Sequence, residues 1–225
     1  MARKTKIEAQ ETRARLLDAA ECVFRSHGVT RTSLAQIATA AGVTRGAVYW
    51  HFKDKAAVFR AMCDRATLPM DSMFERVGDC ARADPLGSVR SLAIGALRTL
   101  ATDPRAQAVF EVIFHKSEMV DELAGLATTQ ENERKECLLQ VAGIMQLAVD
   151  AGQLPAETDV ALATQGLHSM IVGIMHEWVL DPAAYDLGTA APVFIDIYLA
   201  GLKACPPQRQ VAPAPQVRSK SAAVA

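Results

Sequence analysis

Apolar side chains recur at helical spacing along most of the chain, and a period of two persists nowhere outside this pattern. In the first such segment, residues 8–27, the apolar positions are Ala9, Leu16, Leu17, Ala20, Val23 and Phe24. Gly28 predicts the end of this helix, because glycine readily takes the left-handed conformation in which many helices end. The pattern therefore predicts an all-α fold.

Residues that favour helix starts divide the chain that follows. Thr32 or Ser33 predicts a short helix through residue 40, and Thr44 predicts a second one through about residue 51. Asp54 predicts a longer helix into the seventies. Further helices are expected to begin at Asp84, Asp103, Ser117, Thr158 and Gly188, which makes about nine. Residues 1–7 are expected to be a flexible basic arm.

The segment Ser33–Tyr49 has the spacing of a helix-turn-helix. Two short helices that cross steeply need a small residue where they touch, which Ala38 supplies. Their turn needs a residue that tolerates positive φ, which Gly42 supplies four positions later. The apolar residues expected to hold the crossing are Ile37, Val43 and Val48. An ordinary helical hairpin is the alternative, but it does not require this combination of residue types at these offsets.

The second short helix presents polar side chains that suit DNA. Arg45 can donate two hydrogen bonds to a guanine edge, and Thr44 with the first amides of the helix can hold a phosphate. Further residues placed for phosphate or thymine-methyl contacts are Tyr49, His51, Lys53 and Lys55. Trp50 fits packing and DNA contact equally well, whereas Phe52 is expected in the core.

Charge is distributed unevenly. Residues 1–65 carry twelve Lys/Arg and six Asp/Glu, a net charge of +6, whereas the whole chain has −1, so the remaining 160 residues carry −7. A basic end on an acidic body is typical of a protein that docks one end on a polyanion. A chance excess of surface lysine and arginine is the alternative, so charge alone does not decide.

Composition indicates a soluble globular protein, with half of its 225 residues hydrophobic. No secretory signal is recognised, and the longest charge-free apolar stretch, Val160–Met175, is too short and too polar to cross a membrane. The five cysteines are scattered without a CxxC pair, which favours a reducing compartment. We therefore expect a cytoplasmic protein without membrane contact.

The sequence gives little support to an enzyme. His176–Glu177 begins like a zinc-protease motif, but Leu180 stands where the second histidine is required. No phosphate-binding loop, GxSxG motif or Cys/His cluster at metal-ligand spacing is found. We expect neither catalysis nor a cofactor or metal.

Residues 3–60 resemble the DNA-binding domain of TetR-family repressors. The resemblance is carried by Gly28-Val-Thr30, Thr32-Ser-Leu34, Ile37-Ala38, Ala41–Phe52 and Lys53-Asp-Lys55. Tyr49-Trp-His-Phe52 is similar more narrowly to multidrug-efflux repressors of the AcrR and TtgR type, and a weaker likeness extends to about residue 200. The resemblance implies an N-terminal three-helix helix-turn-helix domain (1–53) and a helical effector-binding and dimerisation domain (54–205). The Pro/Ala-rich composition of residues 206–225 predicts a disordered tail.

The resemblance also implies which residues bind DNA and effector. DNA contacts would be made by Lys6, Ser33, Thr44, Arg45, Gly46, Tyr49, Trp50, His51 and Lys55. A small apolar effector would be bound by Met62, Ala96, Phe110, Phe114, Cys137, Val141, His168, Ile171, Val172 and Met175. This chain has Thr67 near a position where some relatives carry a carboxylate, so a preference for cationic drugs does not follow. Phe110 and Phe114 replace polar groups, which indicates a more apolar cavity.

Each effector residue has a simpler alternative. Methionine and phenylalanine in helical proteins are most often ordinary core residues, and His168 on an apolar face is more often a hydrogen-bonded core residue than a ligand contact. The small residues Gly166, Ser169, Gly173, Ala200 and Gly201 could serve either a four-helix dimer interface or internal packing.

The leading hypothesis is a homodimeric repressor that binds double-stranded operator DNA and is released by a small hydrophobic effector. Its expected targets are multidrug efflux pump genes. The same architecture controlling metabolic genes in response to an acyl or catabolic intermediate is the alternative.

Overall fold

The computed structural model describes residues 2–77, 80–117 and 124–209, and every regular element in this part of the chain is helical. The α-helices are α1 Ala2–His27, α2 Leu34–Ala40, α3 Arg45–His51, α4 Lys55–Val77, α5 Cys80–Ala83, α6 Pro85–Thr102, α7 Pro104–Glu111, α8 Ala124–Asp150, α9 Val160–Leu180 and α10 Leu187–Ala204. A π-helical turn, Val112–Lys116, directly continues α7. The predicted all-α fold is confirmed.

Side-chain caps fix most of the predicted helix starts. Ser33 and Thr44 accept hydrogen bonds from the third amide of α2 and α3, and Asp54 does the same for α4 with a 2.7 Å bond from the Ala57 amide. The later starts are capped by Asp84, Asp103, Asp159 and Asp186. These short polar side chains satisfy amides that have no partner within the helix.

Two expectations about helix boundaries are corrected, and a third falls partly outside the described residues. The predicted flexible arm is part of α1, because Ala, Arg and Lys favour helix and nothing between Ala2 and Ile7 interrupts it. A short additional helix, α5, lies before Asp84. The helix expected from Ser117 is described only from Ala124, since residues 118–123 lie outside the described residues.

The chain behind α10 is ordered further than expected. Pro207 accepts a 2.6 Å hydrogen bond from the Asp159 amide, and the Arg209 amide donates to Glu157 at 3.2 Å. Residues 206–209 therefore pair with the α8–α9 loop, contrary to the prediction of a disordered tail from Pro206. The rest of that predicted tail, 210–225, lies outside the described residues.

The buried apolar residues form two cores. The head core joins α1–α4, with Leu16, Phe24 and Met62 fully buried, and the body core joins α6, α8, α9 and α10. The segment formed by α7 and the π turn contributes to both: Val109 and Val112 pack in the head core, whereas Phe110 and Phe114 pack against the body core. This segment therefore connects the two cores.

Helix α10 is unusually apolar for its position. Its 18 residues have a mean hydropathy of 1.3, enough by length and composition to cross a membrane, yet only 28% of them are buried within this chain. Asp196 on this helix forms a two-pronged salt bridge with Arg90 of α6. Core and interface helices of soluble proteins share this composition, so it is weak evidence for a membrane segment.

Candidate DNA-binding surface and effector site

The helix-turn-helix has the predicted contacts. Ala38 is buried, and its carbonyl accepts a 3.0 Å hydrogen bond from the amide of Val43 across the turn. Ile37 and Val48 have no exposed surface. Gly42 takes φ 65°, the left-handed conformation that the turn requires. The turn is also held from α1.

Arg15 supplies that additional contact, which the sequence analysis missed. Its Nη2 donates a 3.2 Å hydrogen bond to the Ala41 carbonyl at the end of α2. The arginine lies 26 positions earlier in the chain, so no local pattern indicates the bond. It fixes α1 against the turn between α2 and α3.

Helix α3 exposes the side chains expected to contact DNA. Arg45 is exposed and donates a 3.3 Å hydrogen bond from Nη2 to the Tyr49 hydroxyl, with its guanidinium carbon 5.5 Å from the centre of the tyrosine ring. This hydrogen bond raises the pKa of Arg45. Trp50 is 72% exposed, so the packing interpretation of this residue is wrong. Exposed polar and aromatic groups thus cover one face of α3.

The other residues predicted to contact DNA differ in how exposed their side chains are. Lys6 and Gly46 are exposed, and the Thr44 and Ser33 hydroxyls are exposed but engaged as caps. Phe52 is buried as expected, below the Arg13 guanidinium at 5.3 Å. His51 is half-buried, and burial, with the nearby charge of Arg13 as a smaller cause, lowers its pKa.

Lys55 requires a correction. The sequence predicted that Lys55 contacts a DNA phosphate, but Lys55 is only 7% exposed and its Nζ donates a 3.1 Å hydrogen bond to the Thr30 carbonyl. A buried ammonium needs such acceptors to offset its lost hydration. In this structure Lys55 therefore ties the start of α4 to the turn between α1 and α2.

The predicted effector residues are divided between the two cores. Ala96 and Met175 are buried in the body, and Phe110, Phe114, Val141 and Ile171 pack half-buried against the body core. Cys137, His168 and Val172 are half-buried on α8 and α9. Met62 lies instead in the head core, together with Val109 and Val112. It is therefore on the other side of the α7 segment from Phe110 and Phe114.

Aromatic rings come together where α7 meets α9. Phe110 and Phe114 stack with their centres 5.6 Å apart, and the ring of His176 lies 5.5 Å from Phe114 and 4.6 Å from His115. In the sequence His176 is noticeable only as a fragment of a zinc motif, and its place in this cluster was not predicted. Its place directly after Met175, on a helix with other predicted effector residues, was the available signal.

His168 is a polar group on the otherwise apolar α9 face. Burial lowers its pKa, and the positive charge of Arg134 lowers it further. The imidazole is therefore neutral near pH 7, when it can donate one hydrogen bond and accept another. An apolar ligand carrying a hydroxyl suits such a group.

Direct polar contacts connect the DNA-binding head to the body. Arg25 of α1 forms a 2.7 Å salt bridge with Glu111 of α7, and the Val29 amide donates a 2.9 Å hydrogen bond to the Lys116 carbonyl. Movement of the α7 segment would thus be transmitted to the end of α1.

The small residues on the last two helices have different roles. A Cβ on Gly166 would lie 2.6 Å from the Tyr198 hydroxyl, so this glycine serves packing within the chain. Gly173 and Gly201 are exposed, and a Cβ at either would meet nothing within 4 Å. The exposed residues Ser169, Gly173, Ala200 and Gly201 are therefore available to an interface, whereas Gly166 is not.

An exposed recognition helix, held at a fixed angle to α2 by the buried Ile37, Ala38 and Val48 and followed by a helical body, defines a helix-turn-helix regulator of transcription. Residues 16–62 match the family model for bacterial regulatory proteins of the tetR family, and residues 84–204 match the C-terminal region of MAATS-type transcriptional repressors. The chain belongs to the TetR family of transcriptional repressors, and it is not an enzyme.

Relatives match over nearly the full length. The chain is 37% identical to the transcriptional regulator AcrR of Shigella flexneri over 212 residues, 94% of this chain and 99% of AcrR. NalD, the secondary repressor of the MexAB-OprM multidrug efflux pump in Pseudomonas aeruginosa, is 33% identical with a TM-score of 0.74, over 87% of this chain and 98% of NalD. The complex of SmeT with triclosan is 33% identical with a TM-score of 0.73, over 85% and 91% of the two chains.

Proposed function

We propose that this protein is a cytoplasmic homodimer that represses multidrug efflux pump genes and leaves its operator when a small aromatic effector binds. The observation that carries the proposal is the exposed face of α3, where Arg45, Tyr49 and Trp50 are free to enter a major groove. NalD, a repressor of an efflux pump, supports the choice of target genes.

The effector class follows from the aromatic cluster. The stacked rings of Phe110 and Phe114 provide a flat apolar surface, and the half-buried His168 of α9 provides a neutral hydrogen-bonding group. A planar apolar phenol matches both features. Triclosan, present in the SmeT complex, is a molecule of this class and is the probe we select.

The exposed apolar face of the last two helices supports the proposed dimer. Val193 and Ile197 on α10 are 56% and 66% exposed, and Leu162 on α9 is 57% exposed. A soluble protein rarely leaves such a face in water. A second copy packed on it would place two α3 helices on one side of a duplex, about 34 Å apart for successive major grooves.

Operator binding by the purified protein tests this function. Fluorescence anisotropy would follow binding to duplexes from the intergenic regions that flank its own gene, and triclosan should release the protein. Phe110→Ala should bind the duplex normally but need more than about tenfold more triclosan, whereas Leu139→Ala, at an exposed position on α8, should respond as the parent. Release by long-chain acyl-CoA but not by triclosan would favour the metabolic alternative.

A further inference from the structure

Helix α3, which carries the DNA-binding face, has little apolar packing of its own. The structure describes all seven of its residues, and among them only Val48 is buried. Phe52, which caps the end of the helix, is buried as well. The direction of a helix is normally fixed by a broad buried face. The direction of so short a helix therefore depends strongly on what holds its two ends.

Arg15 of α1 holds the chain just before α3. It donates the hydrogen bond described above to the carbonyl of Ala41, the residue that caps the end of α2. The last carbonyls of a helix have no partner within it and carry a partial negative charge, so a guanidinium suits this position. The bond attaches the turn that precedes α3 to α1.

Arg13 of α1 holds the chain just after α3. Its guanidinium carbon lies 5.3 Å from the centre of the Phe52 ring, close enough for a cation–π interaction. Its charge also reaches His51, the last residue of α3, because after burial it is the second cause of the lowered pKa of that histidine. This arginine therefore acts at the opposite end of α3 from Arg15.

The two arginines reach the two ends of α3 because they leave α1 on different sides. Residues two positions apart point about 200° away from each other around a helix. We propose that Arg13 and Arg15 are positioning residues: they set the direction of α3 in the major groove and thereby determine how well Arg45 discriminates between bases. The inference rests on the proposed function, since it concerns the same face of α3. Both arginines act through the chain at Ala41 and Phe52 and not through a contact with DNA.

Anisotropy titrations over a range of KCl concentrations test this role, with the operator duplex and a random duplex of equal length. Arg15→Gln should lower the ratio of operator to random-duplex affinity by at least about fivefold, because the bidentate contact of Arg45 loses its alignment. The affinity for the random duplex and its salt dependence should not change. A direct phosphate contact would instead weaken both duplexes and reduce the slope of log K against log salt by about 0.9, and that result would overturn the proposal.

Three further variants serve as comparisons. Arg13→Gln should lower the ratio as Arg15→Gln does, whereas Arg98→Gln, an exposed arginine of α6, should not. Arg15→Lys can still donate to the Ala41 carbonyl and should recover most of the parent ratio. The Tm of each variant should stay within about 3 °C of the parent. A lower ratio that appears only together with a larger fall in Tm would assign the arginines to stability and contradict a positioning role.

A double-mutant cycle locates the effect at Arg45. In an Arg45→Ala background the base contact is already absent, so Arg15→Gln should change the ratio by less than about twofold. Full, independent losses from the two substitutions would show that Arg15 does not act through Arg45. If Arg45→Ala alone leaves the ratio unchanged, the proposed function of α3 itself fails. If Arg45→Ala lowers the ratio and Arg15→Gln does not, only the positioning role is wrong.

Discussion

The pair of Arg45 and Tyr49 illustrates how single residues prepare the DNA-binding face. The hydroxyl and ring of Tyr49 hold the guanidinium above α3 before DNA arrives, so less side-chain freedom is lost on binding. A guanidinium held in this way can donate its two parallel hydrogen bonds to one guanine.

Arg45→Ala is therefore expected to remove sequence discrimination. One bidentate contact to guanine corresponds to about 1–3 kcal/mol, so the ratio of operator to random-duplex affinity should fall about tenfold or more. Anisotropy titrations with both duplexes measure this ratio. Tyr49→Phe should produce a smaller loss, because the ring remains while the hydrogen bond is lost. An unchanged ratio in Arg45→Ala would show that this residue does not recognise a base.

His168 makes stability depend on pH. Its folded pKa lies below the unfolded value of about 6.5, so the unfolded chain binds a proton that the folded chain rejects. The contribution of His168 to the free energy of unfolding is fully present above the unfolded pKa and is lost as the pH falls through the folded pKa.

Urea unfolding at pH 7.5 and pH 5 should thus show a smaller loss of free energy for His168→Gln than for the parent. Arg134→Gln should relieve only the lesser, coulombic cause and give an intermediate loss. The lowered pKa of His51 leaves part of the pH dependence in every variant. Identical losses in all three proteins would exclude His168 as the source.

Single residues also show where sequence reasoning stops. The exposure of Arg45 and the burial of Phe52 were predictable, because helical spacing decides which side of a short helix faces the core. The contacts of Lys55 and His176 were not predictable from the sequence. Lys55 bonds to Thr30, 25 positions away, and His176 packs on Phe114, 62 positions away. The sequence shows that a residue is charged or aromatic, whereas the fold determines which residues it contacts.

At the scale of elements, Gly166 and Tyr198 fix how α9 and α10 approach. The Tyr198 hydroxyl donates a 2.6 Å hydrogen bond to the Ala163 carbonyl and passes over Gly166, where a Cβ would lie 2.6 Å from it. A side chain at position 166 and this hydroxyl cannot both keep their places.

Gly166→Ala should destabilise the protein by about 1–3 kcal/mol, as expected for overpacking. In a Tyr198→Phe background the nearest remaining ring atom is 3.5 Å away, so the same substitution should be neutral or stabilising by about 0.5 kcal/mol. A double-mutant cycle from urea unfolding measures the difference. Additive effects would mean that the clash is relieved elsewhere.

Helix starts were the most predictable elements and irregular turns the least. Thr44, Asp84 and Asp103 act through bonds within three residues, so their caps can be recognised locally. The π turn after α7 has no comparable sequence marker. Val112 and Phe114 must face different cores there, and that requirement exists only in the folded chain.

For the whole molecule, the exposed apolar face of α10 has the largest consequence. Ile197→Glu places a charge in the centre of the proposed interface, where burial without a partner is costly. We expect a monomer in sedimentation equilibrium and an operator affinity lower by roughly 100-fold, because two linked heads bind far better than one.

Leu139→Glu is the matched control, since Leu139 is 73% exposed but lies on α8, outside the last two helices. It should remain dimeric with full operator affinity. If both variants become monomers, the interface extends beyond α9 and α10. If neither does, α10 is not the dimer contact.

Because of the π turn, the number of residues at the domain junction is expected to affect function. Its five residues hold the Lys116 carbonyl against the Val29 amide. Deleting one residue there would restore an ordinary α-helix and rotate everything after it by about 100°. Both cores would keep most of their residues, but the junction would lose its register, and the shortened protein would bind operator without being released by the drug.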